Sequence, residues 1–139
     1  MRVRDWMSPD PVTVAPSTPV DEARRLLDTY GVRHLPVVDR GRTVGMISDR
    51  DVRLPHGARA AARPTETEPA EVAEVMSTPV HVVEADEDIE AAARLMLSRR
   101  ISALPVLAEG ELVGLVTTTD CLLASLTPVV DQHQAEWAV

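Results

Sequence analysis

The chain has 139 residues, 45% of them hydrophobic and 26% charged, enough apolar material for one packed core and too much for a disordered chain. No apolar run approaches the roughly 18 to 20 residues of a membrane span, and the N-terminus lacks the apolar stretch of a signal peptide, so a cytoplasmic protein without membrane attachment is expected. Cys121 is the single cysteine and rules out an internal disulfide. The net charge of −8 is divided unevenly. Residues 1–63 hold 11 Arg against 8 acids (+3), while residues 64–139 hold 3 Arg against 14 acids (−11). So acidic a chain is a poor nucleic-acid binder, which needs a broad basic face; its positive half can hold a small anion.

In chain order, Val12-Thr13-Val14 reads as a short β-branched strand. Thr18-Pro19-Val20-Asp21 predicts a helix start with Thr18 as N-cap and Pro19 in the first turn. Val20, Ala23, Leu26, Leu27 and Tyr30 then recur at helical spacing, and Gly31 closes the helix. Val32 to Val38 is extended, and Pro36 argues for an edge strand or one that ends early, because it lacks a ladder donor. Asp39-Arg40-Gly41-Arg42 is a turn into Val44-Gly45-Met46-Ile47.

A shift of 69 residues places 3–54 on 72–123 without a gap and with 15 of 52 positions identical, among them Met7, Ser8, Leu35, Pro36, Val37, Gly45 and Asp51. The second copy therefore runs through a strand at Val80 to Val83, a helix loaded with Asp86, Glu87 and Asp88 at its start, and a stripe of Ile89, Ala92, Leu95 and Met96. Strands over 101–107 and Leu112 to Val116 follow. The expected organisation is a first repeat over 1–54, a linker over 55–71, a second repeat over 72–126 and a tail over 127–139 whose Trp137 wants cover. One copy of about 50 residues is too small to bury both faces well, so two copies packed sheet to sheet are expected, an α+β unit with pseudo-two-fold symmetry.

The sharpest chemical signal is Gly45-Met46-Ile47-Ser48-Asp49-Arg50-Asp51, repeated as Gly114-Leu115-Val116-Thr117-Thr118-Thr119-Asp120. Ser/Thr-x-x-Asp at a strand-to-helix junction is a capping box, and that alone explains it. The same geometry suits a nucleoside phosphate. The amides of a helix start attract the phosphate, the hydroxyl donates to it, the carboxylate accepts both hydroxyls of a ribose, and the glycine lets a flat base approach the main chain. Arg33, His34, Arg50 and Arg53 all lie in the first copy, and their counterparts Ser102, Ala103, Thr119 and Leu122 are uncharged; the arginines read either as cationic partners for a phosphate or as solvated surface residues. Other chemistry is weaker. His34, His56, His81 and His133 show no metal-ligand spacing, Met46, Met76 and Met96 fit core patterns, and no nucleophile has a matched base. Cys121 follows Asp120 at a helix start, where its pKa could fall, but a small buried apolar residue is the expected reading.

The two Leu-Pro-Val strands, the Val-Gly turns, the Met-Ser openings and the doubled Gly-x-x-Ser/Thr-x-x-Asp ends resemble a tandem pair of cystathionine-β-synthase (CBS) domains over residues 1–126. The resemblance implies two β-α-β-β-α repeats and a regulatory, non-catalytic module requiring no cofactor, whose clefts take AMP, ADP, ATP or a related adenosyl compound such as S-adenosylmethionine. One cleft would use Val12, Val32, Arg33 and His34 with Thr117 and Asp120. The other would use a residue near Val80 or His81, plus Ile101, Ser102 and Ala103, with Ser48, Arg50 and Asp51. It also implies a homodimer through the exposed stripes of the Val20–Tyr30 and Ile89–Met96 helices and the helices after Asp51 and Asp120, and an unknown protein target that reads the bound state. The alternative is a ligand-free interaction protein in which both Ser/Thr-x-x-Asp ends are plain caps and the acidic half docks a basic partner.

Overall fold

A computed structural model describes residues 1–53 and 70–137, with side chains described as far as residue 127. The expected linker, apart from residues 70 and 71, lies outside the described residues, as do the environment of Trp137 and the side chains of His56 and His133. The chain divides into two compact units: a continuous one, Pro11–Val80, and a split one made of Met1–Asp10 together with His81–Val139. The sequence repeats and the folding units thus differ. Each unit takes its opening Met-Ser segment from one repeat and the remaining elements from the other.

The continuous unit contains α1 (Val20–Tyr30), β2 (His34–Asp39), β3 (Arg42–Ser48), the start of α2 (described over 49–53) and the short α3 (Val72–Val75). The split unit contains a 3₁₀ turn at Val3–Asp5, β1 (Ser8–Pro9), β4 (Val83–Glu84), α4 (Ile89–Arg99), β5 (Ala103–Ala108), β6 (Glu111–Thr117) and α5 (Thr118–Trp137). In both, the two longer strands form an antiparallel hairpin, His34 opposite Ser48 and Ala103 opposite Thr117, with the same irregularity after Val37 and Val106. The hairpin tips carry Arg40 and Gly41, and Glu109 and Gly110, at positive φ, the two consecutive left-handed residues of a tight hairpin turn.

Around each hairpin the pairing is equivalent. β4 runs parallel to β5, pairing Val83 with Val106, and Val14 makes the corresponding single bridge to Val37. The expected first strand is therefore reduced to one bridging residue in the continuous unit and two residues in the split one. Pro36 does not mark an edge. Its carbonyl accepts from the Val14 amide (3.1 Å), and the amide of Val38 returns to the Val14 carbonyl (2.8 Å), so the missing donor falls where the parallel pairing has not yet begun.

On the other side of each hairpin the Met-Ser opening docks. Ser8 pairs with Leu115 and Pro9 with Gly114 in the split unit; Ser77 exchanges both main-chain hydrogen bonds with Met46 in the continuous one. Gly45 and Gly114 make that approach possible. A Cβ at Gly45 would lie 2.6 Å from Met76 Sδ and 3.2 Å from the Ser77 carbonyl, and one at Gly114 would lie 2.9 Å from the Ser8 carbonyl and closer still to Met7 Sδ. The glycines expected to admit a planar base therefore admit a methionine and a peptide group.

Each unit has its own core. Val20, Ala23, Leu27, Leu35, Val37, Ile47, Val52 and Val72 pack in one; Val3, Ile89, Ala92, Met96, Leu104, Val106, Val116 and Ala124 pack in the other. The helical stripes read from the sequence are thus turned into their own cores and are not exposed, apart from Tyr30 at 58%. At the helix starts, Thr18 does not cap α1. Pro19 is the N-cap, and the Thr18 hydroxyl accepts from the Ala15 amide while the Val20 amide donates to the Ala70 carbonyl. Asp88 caps α4 by accepting from the Glu90 amide (3.1 Å). Gly31 closes α1 in the left-handed conformation, as expected.

Gly114→Ala should cost about 1–3 kcal/mol of unfolding free energy, because a main-chain carbonyl must give way. Gly45→Ala should cost less, and Met76→Ala should recover part of that loss. Urea titration of the three variants and the double variant measures this.

Candidate functional site

The strand-to-helix junctions are built from a reciprocal pair of hydrogen bonds. In the continuous unit the Ser48 amide donates to Asp51 Oδ2 (2.8 Å) and the Asp51 amide donates to Ser48 Oγ (3.1 Å). In the split unit the Thr117 amide donates to Asp120 Oδ2 (2.9 Å) and the Asp120 amide to Thr117 Oγ1 (3.3 Å). Both motifs are therefore true capping boxes. In each, Oδ1 of the aspartate lies outside the box, and the four side chains are only partly buried. The two hydroxyls differ. Thr117 Oγ1 also donates to Asp120 Oδ2 (3.1 Å), whereas among the described residues Ser48 Oγ serves only as an acceptor.

A main-chain bond brings the entry to each hairpin beside its box: the Asp49 amide donates to the Arg33 carbonyl (2.8 Å), and the Thr118 amide to the Ser102 carbonyl (3.0 Å). Val32, Arg33 and His34 thus lie beside Ser48, Arg50 and Asp51 within one unit, and Ile101, Ser102 and Ala103 beside Thr117 and Asp120 within the other. The resemblance had assigned those two pairs of segments crosswise. Val12 and His81 stand at equivalent positions ahead of the parallel strand in their own units, both half-buried. Ala103 is buried, Ile101 is half-buried, and Val32, Arg33, Arg50 and Ser102 are exposed.

The electrostatics single out the continuous unit. Burial holds the His34 imidazole below its ordinary value of about 6.5; Asp51 opposes that shift and Arg33 adds to it. Arg53, expected to help hold phosphate, is engaged by Asp49 (2.8 Å) and Asp28 (3.5 Å). Arg33 and Arg50 have no ion-pair partner among the described residues. Cys121 is not activated: burial, and then the Asp120 charge, push its thiol up. Among the described residues no three His, Cys, Asp or Glu side chains cluster for a metal ion. An open groove of about 490 Å³ is lined by residues including Thr13, Thr18, Pro19 and Glu22, and holds none of the expected site residues. No helix of the described residues is long and apolar enough to cross a membrane.

The feature that sequence reasoning missed is the docking of the Met-Ser segments. Its signal was present in the identical pairs Met7/Met76 and Gly45/Gly114, whose joint purpose is steric.

Two hairpins with matching boxes, related by a fixed shift of 69 residues, are the structural form of the family resemblance. The family model of the CBS domain matches residues 3–54 and 72–127, and the chain belongs to that family. It is 35% identical over 118 residues to the CBS domain-containing protein YhcV of Bacillus subtilis, spanning 85% of this chain and 81% of that protein. It is 34% identical over 115 residues to the inosine-5′-monophosphate dehydrogenase of Methanocaldococcus jannaschii, but spans 21% of that enzyme. Among solved structures it resembles CBSX2 in complex with AMP, with a TM-score of 0.76 and 34% identity over 91% of this chain and 96% of that one. The CBS domain pair of protein MJ0100, in complex with 5′-methylthioadenosine and S-adenosyl-L-methionine, superposes with a TM-score of 0.74 at 29% identity, covering 92% and 96% of the two chains.

Asp51→Ala and Asp120→Ala should each lower unfolding free energy by about 0.5–2 kcal/mol through loss of the cap, measured by urea titration. His34 supplies a pH signature. Its folded-state pKa lies below that of the unfolded chain, so its contribution is complete above about pH 6.5 and is lost as pH falls through that value. The denaturation midpoint should drop between about pH 7.5 and 5.5, and the drop should be smaller in His34→Gln.

Proposed function

We propose that this chain is a regulatory module that binds an adenosine-containing ligand, an adenine nucleotide or an adenosyl sulfur compound, and transmits its presence to a protein partner without catalysing a reaction. In this reading Asp51 and Asp120 accept the ribose hydroxyls through the carboxylate oxygen outside the capping box, and Ser48 and Thr117 approach the phosphate or its equivalent. Val12, Val32, His81, Ile101, Ser102 and Ala103 supply apolar and main-chain contacts to adenine, while Arg33, His34 and Arg50 lie toward the phosphate end. The observation that carries the reading is the pair of boxes at both junctions, in a chain 34% identical to a protein solved with AMP. No cofactor is needed. The ligand acts by favouring the conformation for which its affinity is higher.

A panel of AMP, ADP, ATP, 5′-methylthioadenosine and S-adenosylmethionine should raise the melting temperature, with about 2.7 kcal/mol of stabilisation at a hundredfold excess over Kd. Asp51→Ala and Asp120→Ala should each diminish the response. A chain indifferent to every compound sinks the proposal and leaves the second reading, an interaction module. That reading is favoured by the exposed side chains of Leu97, Leu122, Leu123 and Leu126 on α4 and α5, between 51% and 80% accessible.

The same leucines are proposed to take part in a cytoplasmic homodimer, whose interface should exceed about 1,000 Å² in total. Sedimentation velocity should show a dimer for the parent chain and a monomer for Leu122→Ser/Leu126→Ser. A monomeric parent at all concentrations removes the proposal.

A further inference from the structure

We propose that the two junctions are unequal in charge and divide ligands between them: the Ser48–Asp51 end takes the polyphosphate of ATP or ADP, and the Thr117–Asp120 end takes an adenosyl compound without phosphate. The inference rests on the adenosine reading above. It begins from equivalent positions in equivalent local structure. Arg33 and Ser102 occupy the same place, each giving its carbonyl to the first amide of the following helix. Arg50 and Thr119 occupy the same place inside the box. His34 and Ala103 open the two hairpins. Among the differences between these two junctions of one backbone design, Arg33 and Arg50 place a permanent cation where the other has a neutral residue, and Asp49, opposite Thr118, adds an anion that Arg53 engages.

The neighbouring charges do not cancel this difference. Asp49 and Asp28 pair with Arg53, Asp51 and Arg33 both act on the charge of His34, and neither Arg33 nor Arg50 has an ion-pair partner among the described residues. In the split unit Asp120 has no cation at the corresponding positions; Arg99 and Arg100 belong to the end of α4, where their counterparts are Tyr30 and Gly31. The hydroxyls point the same way. Thr117 spends its proton on Asp120, while the Ser48 hydroxyl accepts from an amide and retains a donor for an anionic oxygen. A guanidinium and a hydroxyl donor are the groups that recognise phosphate oxygens, and exposed guanidinium groups do so in a salt-dependent way. An uncharged adenosyl ligand gains nothing from either.

Titration calorimetry with ATP and with 5′-methylthioadenosine tests this on the full chain. The variant Arg33→Gln/Arg50→Gln changes two exposed side chains and should fold as the parent does, which its melting temperature checks. Its ATP affinity should fall about tenfold, the scale of two exposed charge-assisted contacts, while its methylthioadenosine affinity stays within about twofold. Parent ATP binding should weaken as salt rises from about 0.05 M to about 0.3 M, and that sensitivity should shrink in the variant. Asp51→Ala should remove the salt-sensitive ATP binding and Asp120→Ala should leave it. Equal loss for both ligands, an unchanged ATP affinity, or salt-sensitive ATP binding that survives Asp51→Ala overturns the proposal while leaving the adenosine reading standing. Failure of the parent to bind either compound overturns both.

Discussion

Everything in the two units depends on one close approach, that of a Met-Ser segment onto a glycine in the second strand of each hairpin. A two-stranded antiparallel ribbon is marginal alone, and it leaves the outer row of its second strand without partners. Ser77 and Met46 satisfy part of that row in one unit, and β1 does so in the other. The approach leaves no room for a Cβ. The boxes stand at the end of the same strands, Ser48 three residues after Gly45 and Thr117 three after Gly114.

The boxes themselves join stability to chemistry. A carboxylate that closes a capping box is oriented by the main-chain amide it accepts from, and at Asp120 by the Thr117 hydroxyl as well, and orientation is what a ribose contact requires. Capping employs one oxygen and leaves the other, so the plain structural explanation of Ser/Thr-x-x-Asp and the ligand-binding one do not compete. A cap can be a binding group that is already paid for in the apo fold. Substituting the aspartate therefore mixes two losses, and they separate only when stability and affinity are measured on the same variant.

How much of this was legible in the residues varies by level. The hairpins, their turns, α1 and α4 follow from period and from the Gly and Leu-Pro-Val landmarks, and they appear 69 residues apart as the self-comparison implied. The grouping of elements was not legible, because a repeat detected by sequence similarity says nothing about which copy a segment packs into. Val3 is wholly buried beside Val83 and Ile89, though its nearest relatives in sequence are in the other unit. Tyr30 continued the apolar stripe on paper, but it is the last residue of α1, past the point where the helix still faces its core. Thr18 lost the cap because its hydroxyl serves the turn at Ala15 while the Ala70 carbonyl takes the helix amide. Such competition between local and distant partners cannot be read from spacing.

The uneven charge of the chain is the one compositional fact that reaches the site. Had the Arg excess of residues 1–63 been spread over solvated helix faces, it would have affected only the long-range field. Part of it is so spread: Arg25 pairs with Glu22, and Arg53 with Asp49. Arg33 and Arg50 are different because the hairpin entry and the box are tied together by the Asp49 amide, which sets residues from separate stretches of sequence at one junction. Duplication supplied two equivalent backbones, and a handful of side chains then made them unequal. A module with two identical sites responds to one concentration of one ligand. One junction of this fold carries two arginines beside its carboxylate and the other carries none, which is the inequality on which the proposed division of ligands rests.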